Sequence, residues 1–142
     1  MRACLASART DPHLQTALVH TRLVAGSTAL YEQLTHARAR ARRKQATALV
    51  RAAWRARDER HLKHGAIIYL QEPNVKEGVG ALRDLHAAFW AADARFGCRT
   101  LADLQVQGHI TNAERARVER AYDFLLRVRV SLHWLAGRKT ER

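Results

Sequence analysis

Residues 71–86 read QEPNVKEGVGALRDLH and lie between two stretches of helical periodicity. Their chemistry is more specific than a connector of that length needs: one Pro, two Gly, one Lys, one Arg and three carboxylates. Glu72-Pro73 pushes Glu72 toward an extended backbone. Gly78 and Gly80 permit a tight path just before a helix opens at Leu82. Lys76 and Arg83 flank that turn, and backbone N–H groups at a helix start reinforced by two cations form a phosphate site. The competing reading is a structural turn in which Arg83 pairs with Asp84, Glu77 or Glu72. The Walker pattern G-x-x-x-x-G-K-[ST] is absent.

Downstream, Leu82, Leu85, Phe89, Ala92 and Phe96 step by three and four, one face of a helix that Gly97 closes. Thr100 caps a short helix carrying Leu101 and Leu104, which Gly108 ends. Thr111 and Glu114 form a T-x-x-E capping box. The stripe Val118, Ala121, Leu125, Val128, Leu132 and Leu135 then suits packing on another helix, and Gly137 ends it. The tail RKTER is expected to fray.

Upstream, Asp11-Pro12 reads as an N-cap and a first-turn proline, with Gly26 as the stop of that helix. Ser27 caps the next one. Residues 36–44, HARARARRK, alternate Arg with Ala, and both are good helix formers. A solvated helix with a break near His36 is expected there. Leu49, Val50, Ala53 and Trp54 resume an apolar face that runs to His64, and Gly65 ends it. Residues 66–70, AIIYL, fit a buried strand or an extended segment equally well. The architecture is all-α: roughly six helices in a bundle, with one ordered loop near the middle.

The 142 residues suffice for one domain with a core, and 47% apolar content suits a folded chain. Only 6% are aromatic, so the core should be mostly Leu, Val and Ala. Of 25 basic residues 21 are Arg, and the net charge is +12. Such a field attracts phosphates, unless it reflects an Arg-rich genome and is balanced by an acidic neighbour. Cys4 and Cys98 suggest neither a disulfide scaffold nor a zinc site. No signal-peptide core or membrane-length apolar run is visible, so a cytoplasmic protein is expected.

Other candidates have plainer explanations beside them. His61 and His64 sit at metal-ligand spacing, but no third ligand accompanies them, and a solvated helix end is the simpler reading. The Arg38 to Lys44 run has the charge to track a nucleic-acid backbone but lacks interleaved aromatics, which favours a solvated face. Arg127 and Arg129 either reach a cleft rim or snorkel over the core. Neither a serine–histidine–acid set nor a carboxylate pair for two metals is present. Nothing in the chain by itself supplies a chemical step.

EPNVKEGVGALRDLH resembles the E-P-[ND]-[IV]-K-x-[SG]-x-G-G-L-R-D pattern of the bacterial protein-PII uridylyltransferase/uridylyl-removing enzymes. TALVHTRLVAGSTALYEQL upstream, and Arg95-Phe96-Gly97, TLADL and ITNAERARVERAYDFLLRVRVSLHWL downstream, follow that family's order of features. The resemblance spans residues 3–136. It implies transfer of UMP from UTP to a tyrosine of protein PII. Mg2+ would be held by aspartates that have no counterpart in this chain, and neither the His-Asp nor the ACT domains are matched. Residues 1–36 would be the helical tail of a nucleotidyltransferase domain, and residues 37–142 the helical domain associated with it. Lys76 and Arg83 would meet the triphosphate, with Asp84 orienting Arg83. The chain is thus read as a fragment or truncated form, inactive alone, with UTP, PII and a catalytic domain as partners and no membrane or nucleic acid. The alternative is a free-standing basic helical module that binds nucleic acid or a partner protein. Ala81 replaces the second Gly of the pattern and would be strained if position 81 requires positive φ. Val79 stands where Pro is frequent, and His20-Thr21-Arg22 replaces Asp-Ala-Arg.

Overall fold

The computed structural model describes residues 2–8, 11–64 and 71–142, and all regular structure among them is helical. The expected segment 66–70 and the stop at Gly65 lie outside the described residues. Polar side chains one residue ahead of apolar runs set where helices begin. After α1 (Arg2–Ser7), Asp11 accepts the Leu14 amide at 3.2 Å at the head of α2 (Pro12–Ala17). Ser27 accepts the Leu30 amide at 3.3 Å at the head of α3 (Thr28–His64). Each supplies an acceptor that the first helical turn lacks. α4 (Leu82–Phe96) follows the central loop. Thr100 and Thr111 form capping boxes with Asp103 and Glu114 at the heads of α5 (Leu101–Val106) and α6 (Asn112–Ala136).

The expected stop at Gly26 comes early. Helix α2 gives way to a 3-10 turn at Leu18–His20, and Thr21 is extended. The Thr21 carbonyl accepts from the Tyr31 hydroxyl at 2.8 Å and from Arg99 Nη2 at 3.2 Å, which holds it out of a helical ladder. The expected break near His36 is absent. α3 runs unbroken for 37 residues, about 55 Å at helical rise, because neither Gly nor Pro interrupts its Ala/Arg-rich stretch.

The arginine run is not uniformly solvated. Arg40, Arg43 and Lys44 are exposed, but Arg38 and Arg42 turn inward onto α4. There they meet Asp93, 4% exposed and the one buried charged residue among those described. Arg38 Nη1 lies 3.1 Å from Asp93 Oδ2, and Arg42 Nη1 lies 3.6 Å from Oδ1 and donates to the Asp93 carbonyl at 2.8 Å. The reason is simple: a carboxylate that loses water must be paired, and these two cations are in reach. At the other end of α3, Arg60 and His61 bind Asp84 near the head of α4. The two helices therefore run antiparallel and are joined by ion pairs at both ends.

The buried apolar residues among those described are mostly small: Ala8, Ala81, Ala87, Ala92 and Ala94, with Val19 and with Leu82 and Cys98, the last two 1% exposed. Phe96, expected on the inner face of α4, is half exposed and stacks on His109 with ring centroids 3.8 Å apart. The α6 stripe is only partly covered. Val118, Leu125, Val128 and Leu132 are half-buried, whereas Ala121 and Leu135 are exposed, as is Trp134.

The tail is tied down, contrary to the expected fraying. Glu141 accepts from Arg129 Nε and Nη2 at 2.7 Å each, a bidentate pair. Its carbonyl accepts the Val75 amide at 3.0 Å, so the tail is stitched to the central loop. Deleting residues 138–142 should therefore speed hydrogen exchange at the Val75 amide by roughly tenfold or more. Unchanged protection there would mean the tail is loose in solution.

Candidate functional site

The central loop is built around Asn74. Its Oδ1 accepts the Lys76 amide at 3.0 Å and the Glu77 amide at 2.7 Å, and its carbonyl accepts from Gly78 N at 3.0 Å. Gly80 then takes φ +73, a left-handed value that L side chains rarely adopt. Ala81 has φ −82 and ψ −177, an ordinary extended conformation, so the strain conditional on positive φ does not arise there. Gly80 makes the turn, and Ala81, buried, packs beneath it.

The amides at the head of α4 are already taken. Leu82 N donates to the Val75 carbonyl at 3.2 Å, Arg83 N to Lys76 O at 2.9 Å, and Gly80 N to Asp84 Oδ2 at 2.8 Å. The backbone N–H groups expected at this helix start are therefore not free, and the cations beside it are the side chains of Lys76 and Arg83. Lys76 and Arg83 are brought together: Lys76 Nζ lies 3.4 Å and Arg83 Nε 3.6 Å from the same Glu77 Oε1. Lys76 also approaches Glu141 at 4.0 Å.

Asp84 does not orient Arg83. Its carboxylate receives Arg60, His61 at 2.9 Å and the Gly80 amide. Burial alone would raise its pKa, but the Gly80 amide, His61 and Arg60 together hold it below the ordinary 3.8. Asp84 thus braces the loop against α3. His61, read from sequence as a solvated helix end, is a partner in that brace. Arg127 pairs with Asp123 on the exposed face of α6 at 2.7 Å, and Arg129 serves the tail. Neither is among the residues lining the cleft described next.

Arg83 also faces an open cleft of about 880 Å³ between the 3-10 turn, α4, the head of α5 and α6. Arg99 and Arg115 join it on the cationic side, and among the described residues Glu119 is the only acid in the lining. His86, Phe89, Trp90 and Tyr122 form the aromatic side. Tyr122 is set edge-on to Phe89, with centroids 6.0 Å apart at 82°, and its hydroxyl lies 3.4 Å from His86 Nε2. Arg115 is aimed by Glu119 at 2.7 Å and by Gln105 at 2.9 Å, and Arg99 by the Thr21 carbonyl. Sequence reasoning missed both arginines. Arg115 was legible, since it shares a face with Val118, Glu119 and Tyr122 at three- and four-residue steps. Arg99 follows the turn at Gly97, and no periodicity places it. A smaller cavity, about 230 Å³, between α2, α3 and α4 is walled mainly by Ala and Leu.

Among the described residues no three His, Cys, Asp or Glu side chains cluster to hold a metal ion. The Mg2+ that the resemblance implies is given no ligand among these residues, and no metal step is assigned to them. Among the described residues no helix is long and apolar enough to cross a membrane.

An all-helical frame that turns three arginines and an aromatic wall into one cleft defines a helical module with an arginine-lined cleft. The chain belongs to the PII-uridylyltransferase family: the profile described as GlnD PII-uridylyltransferase matches residues 48–142. Relatives are named bifunctional uridylyltransferase/uridylyl-removing enzyme. That of Rhodopseudomonas palustris is 39% identical over 141 residues, 98% of this chain and 15% of that enzyme. A Bradyrhizobium sp. enzyme is 42% identical over 137 residues, 95% of this chain and 15% of its own. The Rhodospirillum rubrum enzyme is 39% identical over 140 residues, again 98% and 15%. The chain thus spans about 15% of the length of the curated relatives it matches. No solved structure matches it.

Burial, and then the nearby charges of Arg83, His20 and Arg129, lower the pKa of His86 below its ordinary 6.5. As pH falls below 6.5 the unfolded chain takes up this proton first. The His86 contribution to stability is therefore present above 6.5 and is lost as pH falls through that value toward the folded one. The ring should titrate below 6.5 by NMR, and Arg83→Gln should move the midpoint upward. A midpoint at or above 6.5 in the parent chain would contradict this charge environment.

Proposed function

We propose that this chain is the helical segment of a PII uridylyltransferase, a fragment of the enzyme that transfers UMP from UTP to a tyrosine of PII. Its part is to hold phosphate and to form one wall of the nucleotide cleft. The observation that carries this reading is the 39% identity that extends over 98% of the chain. The geometry supports it, because Lys76 and Arg83 meet at Glu77 beside an arginine-rich cleft. On this reading residues 1–36 close the nucleotidyltransferase domain and residues 37–142 form the helical domain, with α3 carried across both. Asp84 acts by fixing the loop that presents the two cations. Mg2+ and the transfer step belong to residues outside this chain, and the protein works in the cytoplasm.

Exchanging this chain for the matching segment of the Rhodopseudomonas palustris enzyme tests the proposal. The hybrid should uridylylate PII. Lys76→Ala and Arg83→Ala within it should each raise KM for UTP by about tenfold, the scale of one lost charge-assisted hydrogen bond. A folded hybrid that transfers no UMP, or whose KM ignores both substitutions, would sink it.

A further inference from the structure

We propose that the cleft between α4, α5 and α6 seats the nucleotide itself, with Arg83, Arg99 and Arg115 on the polyphosphate and Trp90 and Tyr122 on the base. The proposal rests on the nucleotide-handling reading above and adds four residues to it: Arg99, Arg115, Trp90 and Tyr122.

Three observations carry it. The first is size and opening: about 880 Å³ lies in the range of small-molecule sites. The second is charge. Three guanidinium groups line it; Arg83 pairs with Glu77 and Arg115 with Glu119, while Arg99 meets only the neutral Thr21 carbonyl, so the cleft retains positive charge after internal pairing. Each guanidinium is also held on one side by a protein acceptor: Glu77 for Arg83, the Thr21 carbonyl for Arg99, and Glu119 with Gln105 for Arg115. Arg99 gives one and Arg115 two of the five N–H donors of its guanidinium to these contacts, and Arg83 stands at ion-pair distance from Glu77, 3.6 Å. The groups are pre-aimed, and donors remain for a ligand. Planar forks of this kind suit phosphate oxygens.

The third observation is the opposite wall. Trp90 and Tyr122 are half-buried on α4 and α6, and Tyr122 packs edge-on to Phe89 with its hydroxyl 3.4 Å from His86 Nε2. Ring surface of this kind takes a planar base by stacking. His86, held toward its neutral form by burial, adds a hydrogen-bonding group without adding another unit of like charge beside Arg83. A cationic side facing an aromatic side matches a ligand with an anionic end and a flat end. A bare anion would use only half of it.

The test is to titrate the 15N-labelled chain with UTP, with inorganic tripolyphosphate and with uridine. UTP should shift the Trp90 indole N–H and the Arg99 and Arg115 side-chain signals. Arg99→Gln combined with Arg115→Gln should weaken UTP and tripolyphosphate alike by at least about tenfold. Tyr122→Leu and Trp90→Leu should weaken UTP by about tenfold and leave tripolyphosphate within about twofold. The map on the parent chain needs no variant to fold. Shifts confined to residues 74–83, or no UTP binding at millimolar concentration, overturn the proposal. So does equal affinity for UTP and tripolyphosphate that ignores both aromatic substitutions. Two further patterns separate this idea from the family reading. If Lys76→Ala weakens UTP and the cleft variants do not, the loop keeps its role and the cleft seat falls. If the cleft variants weaken UTP while the hybrid enzyme is inactive, the seat stands and the assigned transfer falls.

Discussion

One buried carboxylate organises this chain. Asp93 lies near the end of α4, almost without solvent, between the guanidinium groups of Arg38 and Arg42. Desolvating a carboxylate is expensive, and only close cations with good hydrogen bonds offset it. The pairing therefore has a strict geometric demand: α3 must stay helical through its arginine run and must turn that side toward α4. Arg42 also donates to the Asp93 carbonyl, which accepts the Gly97 amide that closes α4. A side chain at Gly97 would press a Cβ onto the Arg42 guanidinium, and φ there is +82. The end of α4, its cap and its counter-charges are one unit.

The other end of α4 is held by Arg60 and His61 on Asp84, and Asp84 in turn fixes the Gly80 amide. With both ends anchored to α3, the remaining side of α4 can present His86, Phe89 and Trp90 to the space bounded by α5 and α6. Arg83 stands where the loop becomes the helix. It links the two parts of the site, pairing with the loop at Glu77 and facing the cleft. The tail adds a third restraint through Glu141. The Arg129 hydrogen bonds hold its carboxyl below the ordinary 4.5, so it remains an anion against the loop.

Local chemistry was legible in the sequence, and chemistry between distant residues was not. Ser27, Thr100 and Thr111 could be named as caps because a cap needs only its next three residues. Gly97 and Gly137 could be named as stops for the same reason. The run at 36–44 misleads because its counter-charge lies 51 to 55 residues away. Without Asp93 in view, alternating Arg and Ala read as a solvated face, and a basic surface for nucleic acid seemed available. With Arg38 and Arg42 turned inward that surface is reduced to Arg40, Arg43 and Lys44. Glu141 was misjudged likewise, because a polar tail gives no sign of the partners it finds in Arg129 and Val75. The loop motif drew attention to Lys76 and Arg83, which the fold places beside the same Glu77, but it gave Asp84 the wrong cation, since Arg60 and His61 approach from another helix.

The central claim is that the α3–α4 joint is a true coupling rather than a chance adjacency of charges. A double-mutant cycle with Arg38→Met and Asp93→Asn, read by urea unfolding of the chain, tests it most directly. The account predicts a coupling of about 1–3 kcal/mol, with the double variant little worse than the weaker single one. Effects that simply add, within about 0.3–0.5 kcal/mol, would contradict it.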